Sequence, residues 1–372
     1  MKKASLIVAN AEKSADLLYA TGFRAPDPYI YFAMGAKRGM ILSELEYDRG
    51  FQECRDDIHV FRYEDFIRRG RRGMGDVLLV LAKSLKAGSF RVPSDFPLGL
   101  ADFLRRHGIE VKSSKREFFP ERQFKSEREI ECLREAQRIT GLGMRRAENI
   151  LRESDISLSG VLYWNGAPLT SEILRAEINI ELIRHDAFAE STIAAGGVQG
   201  AEPHNEGSGE LYAGAPVVID IFPKIIATGY YGDMTRTFVK GKAPEIVHRA
   251  YQAVHHTRER CKTMVRAGAV PAEIHRFAAE FLAQQGFPTG RRADGKSYGF
   301  FHGLGHGLGL EVHEAPRMNL RNPVPFKGGE VVTVEPGVYD PAWGGVRLED
   351  VVAVREDRAE CLTDYPNQLE LD

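Results

Sequence analysis

Gly303-Leu304-Gly305-His306-Gly307-Leu308-Gly309-Leu310-Glu311-Val312-His313-Glu314 is the stretch on which the fold turns. Four alternating glycines make a helix improbable there, since each costs about 1 kcal/mol relative to alanine in a helix interior. Yet the stretch carries two histidines among apolar residues. On both sides of it along the chain lie apolar runs that each bear an acid. Val217-Val218-Ile219 ends on Asp220, and Tyr230-Tyr231-Gly232-Asp233-Met234-Thr235-Arg236-Thr237-Phe238 contains Asp233. Val331-Val332-Thr333-Val334 ends on Glu335, before Pro336-Gly337, and Val346-Arg347-Leu348-Glu349-Asp350-Val351 contains Glu349. A single acid or histidine in such a run reads most simply as a hydrogen-bonded core residue. Four carboxylates on core-like strands do not, because a buried, unpaired carboxylate costs several kcal/mol. Two divalent cations would neutralise them, and His306 would add a nitrogen ligand. Two metals about 3.5 to 4 Å apart share bridging carboxylates and activate a water between them, which makes hydrolysis the implied reaction class.

Outward from this constellation the chain divides in two. Between Leu6 and about Ser113, short apolar runs alternate with helical stretches. Leu6 to Ala9, Tyr29 to Phe32, Ile58 to Phe61 and Ile109 to Lys112 read as strands, and Val77 to Leu85 and Leu98 to Arg106 read as helices. That alternation predicts an α/β domain over 1–120. A charged stretch with Pro120 follows, and Ser126-Glu127-Arg128-Glu129 is a capping box that opens a long helix. Residues 121–372 then read as helix, helix, strands, twice over. The helices begin at 127, near Thr170, at Pro244 and at Pro271. The strands are Pro216 to Phe222, Tyr230 to Val239, Phe300 to His302, Glu330 to Tyr339 and Val346 to Val354. This recurrence predicts two similar halves with a site between them. Residues 153–169 read as turns with no assigned function.

Composition excludes several classes. The 372 residues are 43% hydrophobic and 27% charged, ordinary for a globular protein. Lys+Arg 50 against Asp+Glu 52 gives a net charge of -2, so no global charge excess drives binding to nucleic acid or anionic membrane. Leu6 to Ala9 is too short for a signal sequence or a membrane span, so a cytoplasmic protein is expected. Cys54, Cys132, Cys261 and Cys361 are far apart, without the C-x-x-C of a redox or zinc motif. Gly290 to Ser297 fits G-x-x-x-x-G-K-[ST], and Gly295-Lys296-Ser297-Tyr298-Gly299 fits G-x-S-x-G. Both motifs require a helix immediately after the loop, and the glycines from 299 onward argue against one, so a solvated basic loop is the better reading. Arg68-Arg69-Gly70-Arg71-Arg72 likewise reads as a solvated loop, having no interleaved aromatics to stack bases.

Asp220, Asp233, His306, Glu335 and Glu349, in this order and with these flanks, resemble the five metal ligands of the pita-bread metallopeptidases, in particular the proline-directed branch of Xaa-Pro dipeptidase (prolidase) and aminopeptidase P. The resemblance spans roughly 126–357. The preceding 120 residues are similar to the creatinase-type N-terminal domain, for which Tyr19-Ala20-Thr21-Gly22-Phe23 is a cue. The implied fold is α+β, a pita-bread domain with pseudo-two-fold halves behind an α/β domain. The resemblance implies that Asp220 chelates one metal, His306 and Glu335 the other, and Asp233 and Glu349 bridge both. The metal would be Mn(II) foremost, with Co(II), Zn(II) and Fe(II) also suited to such ligands. It further implies that Glu335 handles the nucleophile's proton, that His204 and His313 are catalytic, that His302 lines the substrate pocket, and that Arg317 receives the substrate carboxylate. The implied substrate is a short proline-containing peptide, and the implied assembly a homodimer. Other outcomes on this scaffold are a methionine aminopeptidase or a binding protein without turnover. One departure stands out: the family usually has glycine two residues after its first Asp, and here Phe222 and Pro223 occupy that region.

Overall fold

Ser126 and Glu129 cap each other at the start of the Glu127–Glu153 helix: the Glu129 amide donates to Ser126 Oγ at 3.4 Å, and the Ser126 amide donates to Glu129 Oε2 at 2.8 Å. The computed structural model describes residues 2–67 and 73–372. The basic stretch Arg68 to Arg72 lies outside the described residues. The chain separates into two units, Met1–Arg122 and Gln123–Asp372.

In the first unit six strands form one sheet, in the order His59–Arg62, Lys37–Leu42, Tyr29–Met34, Lys2–Ala9, Ala87–Val92, Glu110–Ser113. Tyr29–Met34 runs antiparallel to both neighbours, and the other pairings are parallel. Alternation along the central strand sends Leu6 and Val8 to one core and Ile7 to the other, so both faces are covered. The helices Ala15–Thr21 and Glu44–Glu53 and the strands Lys37–Leu42 and Ala87–Val92 escaped the sequence reading. Each is short, and the second helix buries only Gly50, which leaves little periodicity to detect.

The second unit has two cores, one for each half. Helices Glu127–Glu153 and Ser171–Arg184 pack against the sheet Ile193–Gly196, Val217–Ile221, Met234–Lys240, Glu370–Leu371, burying Ile139, Ile178, Ile219, Ile221 and Met234 together. Helices Glu245–Met264 and Pro271–Gln284 pack against the antiparallel sheet Glu314–Met318, Gly305–Gly307, Val331–Val334, Asp350–Val354, Ala359–Cys361, burying Val254, Ala278, Leu304, Val334 and Val352. Among the described residues no helix is long and apolar enough to cross a membrane.

Several strand expectations need correction. Phe300 to His302 forms no strand, and the chain enters the sheet later, at Gly305–Gly307. That strand exists because its side chains are missing: a Cβ on Gly305 would stand 2.0 Å from the Thr333 carbonyl oxygen, and one on Gly307 would stand 2.2 Å from that of Ala315. Glu330 to Tyr339 divides into Val331–Val334 and Gly337–Asp340, broken at Glu335-Pro336, where proline has no N–H for a ladder. Val346 to Val354 divides into Gly344–Arg347 and Asp350–Val354. Tyr230 to Val239 becomes a strand only at Met234. The Gly290-to-Ser297 motif folds into a hairpin, Gly290–Arg291 against Ser297–Tyr298, not a loop before a helix. Residues 153–169 contain three short antiparallel strands, Asp155–Ile156, Leu162–Trp164 and Ala167–Pro168.

Candidate active site

The strand breaks place the acids. Asp233 stands just before its strand, and Glu335 and Glu349 stand in the two breaks, where the halves of the second unit meet: the Glu349 amide donates to the Thr235 carbonyl at 3.1 Å. Asp220 and Asp233 come from the first half, and His306, Glu335 and Glu349 from the second. One ligand atom from each of Asp233, His306 and Glu349, all buried, lies within 4.8 Å of the others. His306 Nε2 is 3.2 Å from Glu335 Oε1 and 3.7 Å from Asp233 Oδ2. Asp220 joins them through Arg347, whose Nη2 donates to Asp220 Oδ2 at 2.7 Å.

Backbone packing fixes this arrangement. Gly232, beside Asp233, lies flush on the long helix, where a Cβ would come 2.0 Å from Thr140 Oγ1. The capping Glu129 also accepts a hydrogen bond from Tyr230 at 2.7 Å, tying the start of that helix to the turn before Asp233. Behind Glu349, the buried Arg236 donates to the Glu349 carbonyl at 2.6 Å and to Asp350 Oδ1 at 2.9 Å. Burial opposes ionisation of Asp350, but Arg236, Arg258 and Lys262 together hold it at about 2.

Electrostatics provide the test for a metal. Burial, reinforced by the carboxylates of Glu349, Asp220 and Glu335, pushes Asp233 well above the usual carboxylate range. Glu349 is pushed up in the same way, by burial and then by Glu335 and Asp220. Burial also raises Asp220 against the pull of Arg347, and its Oδ1 is buried with no hydrogen-bond partner. Glu335 behaves oppositely: burial would raise it, but His306, His302 and Arg347 hold it at about 2. His306 Nδ1 lies 3.2 Å from the Gly307 carbonyl oxygen, and its Nε2 faces the carboxylates of Glu335 and Asp233. Crowded acids, an unpartnered buried oxygen and an imidazole nitrogen turned toward them are what a divalent cation would satisfy. The donor set fits such ions.

The remaining predicted residues surround this centre. His302 Nε2 is 2.9 Å from the Tyr339 hydroxyl, which also accepts from Arg347 Nη1 at 2.9 Å, and burial pushes the imidazole down to about 4. The His313 ring stands edge-on to His306 with centroids 4.4 Å apart. It keeps an exposed edge, while burial of the rest, with the charges of His306 and Arg317, pushes it down to about 4. Arg317 is exposed and sits directly opposite His306 in the strand pairing. His204 is exposed as well. The carbonyl before it, on Pro203, accepts from Arg347 Nη1 at 3.3 Å.

Sequence reasoning assigned no role to Arg347, Thr235, Thr333 or Tyr339. Thr235 Oγ1 donates to Glu349 Oε2 at 2.8 Å, Thr333 Oγ1 donates to Glu335 Oε1 at 3.1 Å, and Arg347 reaches Asp220, Tyr339 and Thr235. A signal was available. Thr235, Thr333 and Arg347 each lie two residues from a carboxylate, the period at which strand side chains share a face.

Similarity to known proteins agrees with this geometry. The chain is 26% identical to a Xaa-Pro dipeptidase of Pyrococcus horikoshii over 99% of its own length and 96% of that protein. The solved prolidase from Pyrococcus horikoshii superposes with a TM-score of 0.80 at 26% identity, covering 99% of this chain and 95% of that one. The X-Pro aminopeptidase from Thermotoga maritima superposes at 0.82 with 25% identity, covering 99% and 97%. Metallopeptidase family M24 matches residues 131–356, a segment that contains all five acid and histidine positions gathered at the centre. The fold is thus the pita-bread architecture of those structures, the enzyme class is a hydrolase dependent on divalent metal, and the chain belongs to metallopeptidase family M24.

Proposed function

We propose that the chain hydrolyses the Xaa-Pro bond of short peptides with two divalent metal ions, Mn(II) foremost. The buried grouping of Asp233, His306 and Glu349 from the two halves, with Glu335 against His306 and Asp220 held by Arg347, carries this reading. Asp220 would hold one ion, His306 and Glu335 the other, with Asp233 and Glu349 between them. Ions held there would supply Lewis-acid chemistry, polarising the scissile carbonyl and lowering the pKa of the attacking water. Glu335 would accept the proton of that water. His204 and His313 contact the substrate and stabilise the oxyanion of the tetrahedral intermediate, which strengthens their hydrogen bonds as charge develops. His302 lines the pocket for the proline ring. Arg317 pairs its guanidinium fork with the substrate carboxylate, which favours dipeptides. In this reading residues 1–120 are the creatinase-type N-terminal domain, residues 121–372 the catalytic domain, and the protein a cytoplasmic homodimer without a nucleic-acid or membrane partner.

The test is turnover of metal-stripped protein on Xaa-Pro dipeptides, Xaa-Pro-Yaa tripeptides and Met-peptides, with Mn(II), Co(II), Fe(II) or Zn(II) added back one at a time. Proline peptides should be cleaved only after metal is restored. Turnover without metal that a serine-directed fluorophosphonate blocks would overturn the reading and point to Ser297.

A further inference from the structure

The departure at Phe222 has a definite place in the fold. In the pairing of Val217–Ile221 with Met234–Lys240, Asp220 faces Thr235 and Ile221 faces Met234. Beyond the strand ends the same register continues: the Gly232 amide donates to the Pro223 carbonyl at 2.9 Å, Lys224 bridges to Tyr231, and the Ile225 amide donates to the Tyr230 carbonyl at 2.9 Å. Phe222 therefore stands directly opposite Asp233, with Cβ atoms of such a pair about 4.5 to 5.5 Å apart. Alternation gives the face. Ile221 and Met234 are buried in the hydrophobic core, whereas Asp220 and Thr235 bond to Arg347 and Glu349 at the metal centre. Phe222 shares the face of Asp220 and Asp233. It is half-buried and belongs to neither hydrophobic core of its unit. An aromatic ring that packs into no core and stands beside the reacting centre is positioned to touch substrate.

We propose that Phe222 is a specificity-determining residue that limits the size of the side chain N-terminal to the scissile bond. This inference rests on the peptidase reading above. A short peptide has an ammonium at one end and a carboxylate at the other. The carboxylate belongs with Arg317 on the second sheet, so the ammonium-bearing residue lies toward Asp220 and Asp233 on the first, and its side chain meets Phe222. The ring narrows that side of the pocket and favours small residues over bulky ones before proline.

The experiment compares metal-loaded wild type, F222A and F222W on Ala-Pro, Leu-Pro, Phe-Pro, Ala-Ala and Phe-Ala. The Phe-Pro to Ala-Pro ratio of kcat/KM should rise by about tenfold or more in F222A, the scale on which a pocket discriminates a few methylenes, and fall in F222W. A ratio unchanged within about twofold in F222A would overturn the assignment. If Ala-Ala and Phe-Ala are cleaved while proline peptides are not, the Xaa-Pro reading fails, and the Phe-Ala to Ala-Ala ratio still judges Phe222. Calorimetric binding of free Phe and Ala to the three proteins reads the same preference without turnover, and an unchanged preference there would also overturn it.

Discussion

Asp233→Asn is expected to lower kcat/KM by about 1000-fold or more and to leave at least one metal position empty at micromolar free metal. Its carboxylate is the most crowded of the four, facing Glu349, Asp220 and Glu335 in a buried site. With metal present it would supply a charge to both ions, and losing several kcal/mol of charge stabilisation in the transition state costs about three powers of ten in rate. Without metal the sign reverses. Asparagine removes a repelling buried charge, so the metal-free variant should unfold at the same temperature as metal-free wild type or higher, while the rise in Tm that metal gives the wild type should shrink. Metal analysis of dialysed protein and two thermal scans check this. Two equivalents still bound would show that Asp233 is not a ligand.

The carboxylates could be found from sequence because each interrupts an apolar run, a conflict between local pattern and chemistry that core-forming strands do not otherwise tolerate. The capping box Ser126 to Glu129 and the apolar faces of the four helices of the second unit were readable for the ordinary reasons of periodicity and capping. The strand Gly305–Gly307 was not, because its fit depends on absent side chains and on the neighbouring backbones of Thr333 and Ala315. Nor was the centre's hydrogen-bond frame. Arg347 looks like any arginine in a β-run until its partners, Asp220 from the other sheet, Tyr339 and the Pro203 carbonyl, are in place. Apolar content continues through the breaks at Glu335-Pro336 and Leu348-Glu349 although the ladder does not, so the sequence pattern predicts continuous strand there.

Replacing His204 or His313 with alanine should lower kcat by roughly 100-fold or more and leave metal content unchanged. Each is assigned to substrate and developing charge, and losing one positioned oxyanion or proton partner has about that cost. His313 touches His306 ring to ring, and His204 follows the carbonyl that Arg347 holds, so both can act at the centre without being ligands. His306→Ala is the contrasting variant: it should lose metal and activity together, because it removes the nitrogen of the set. Single-turnover rates beside metal analysis separate the two classes. Turnover within about twofold of wild type for both His204→Ala and His313→Ala would refute their catalytic assignment even with the metal centre intact.

In the proposed mechanism five side chains from two sheets hold two metal ions. Calorimetric titration of metal-stripped wild-type protein with Mn(II), followed by metal analysis of the dialysed product, counts those ions. Two equivalents per chain should bind, with peptidase activity recovering as they do. One equivalent or none at full recovered activity would refute a two-metal centre.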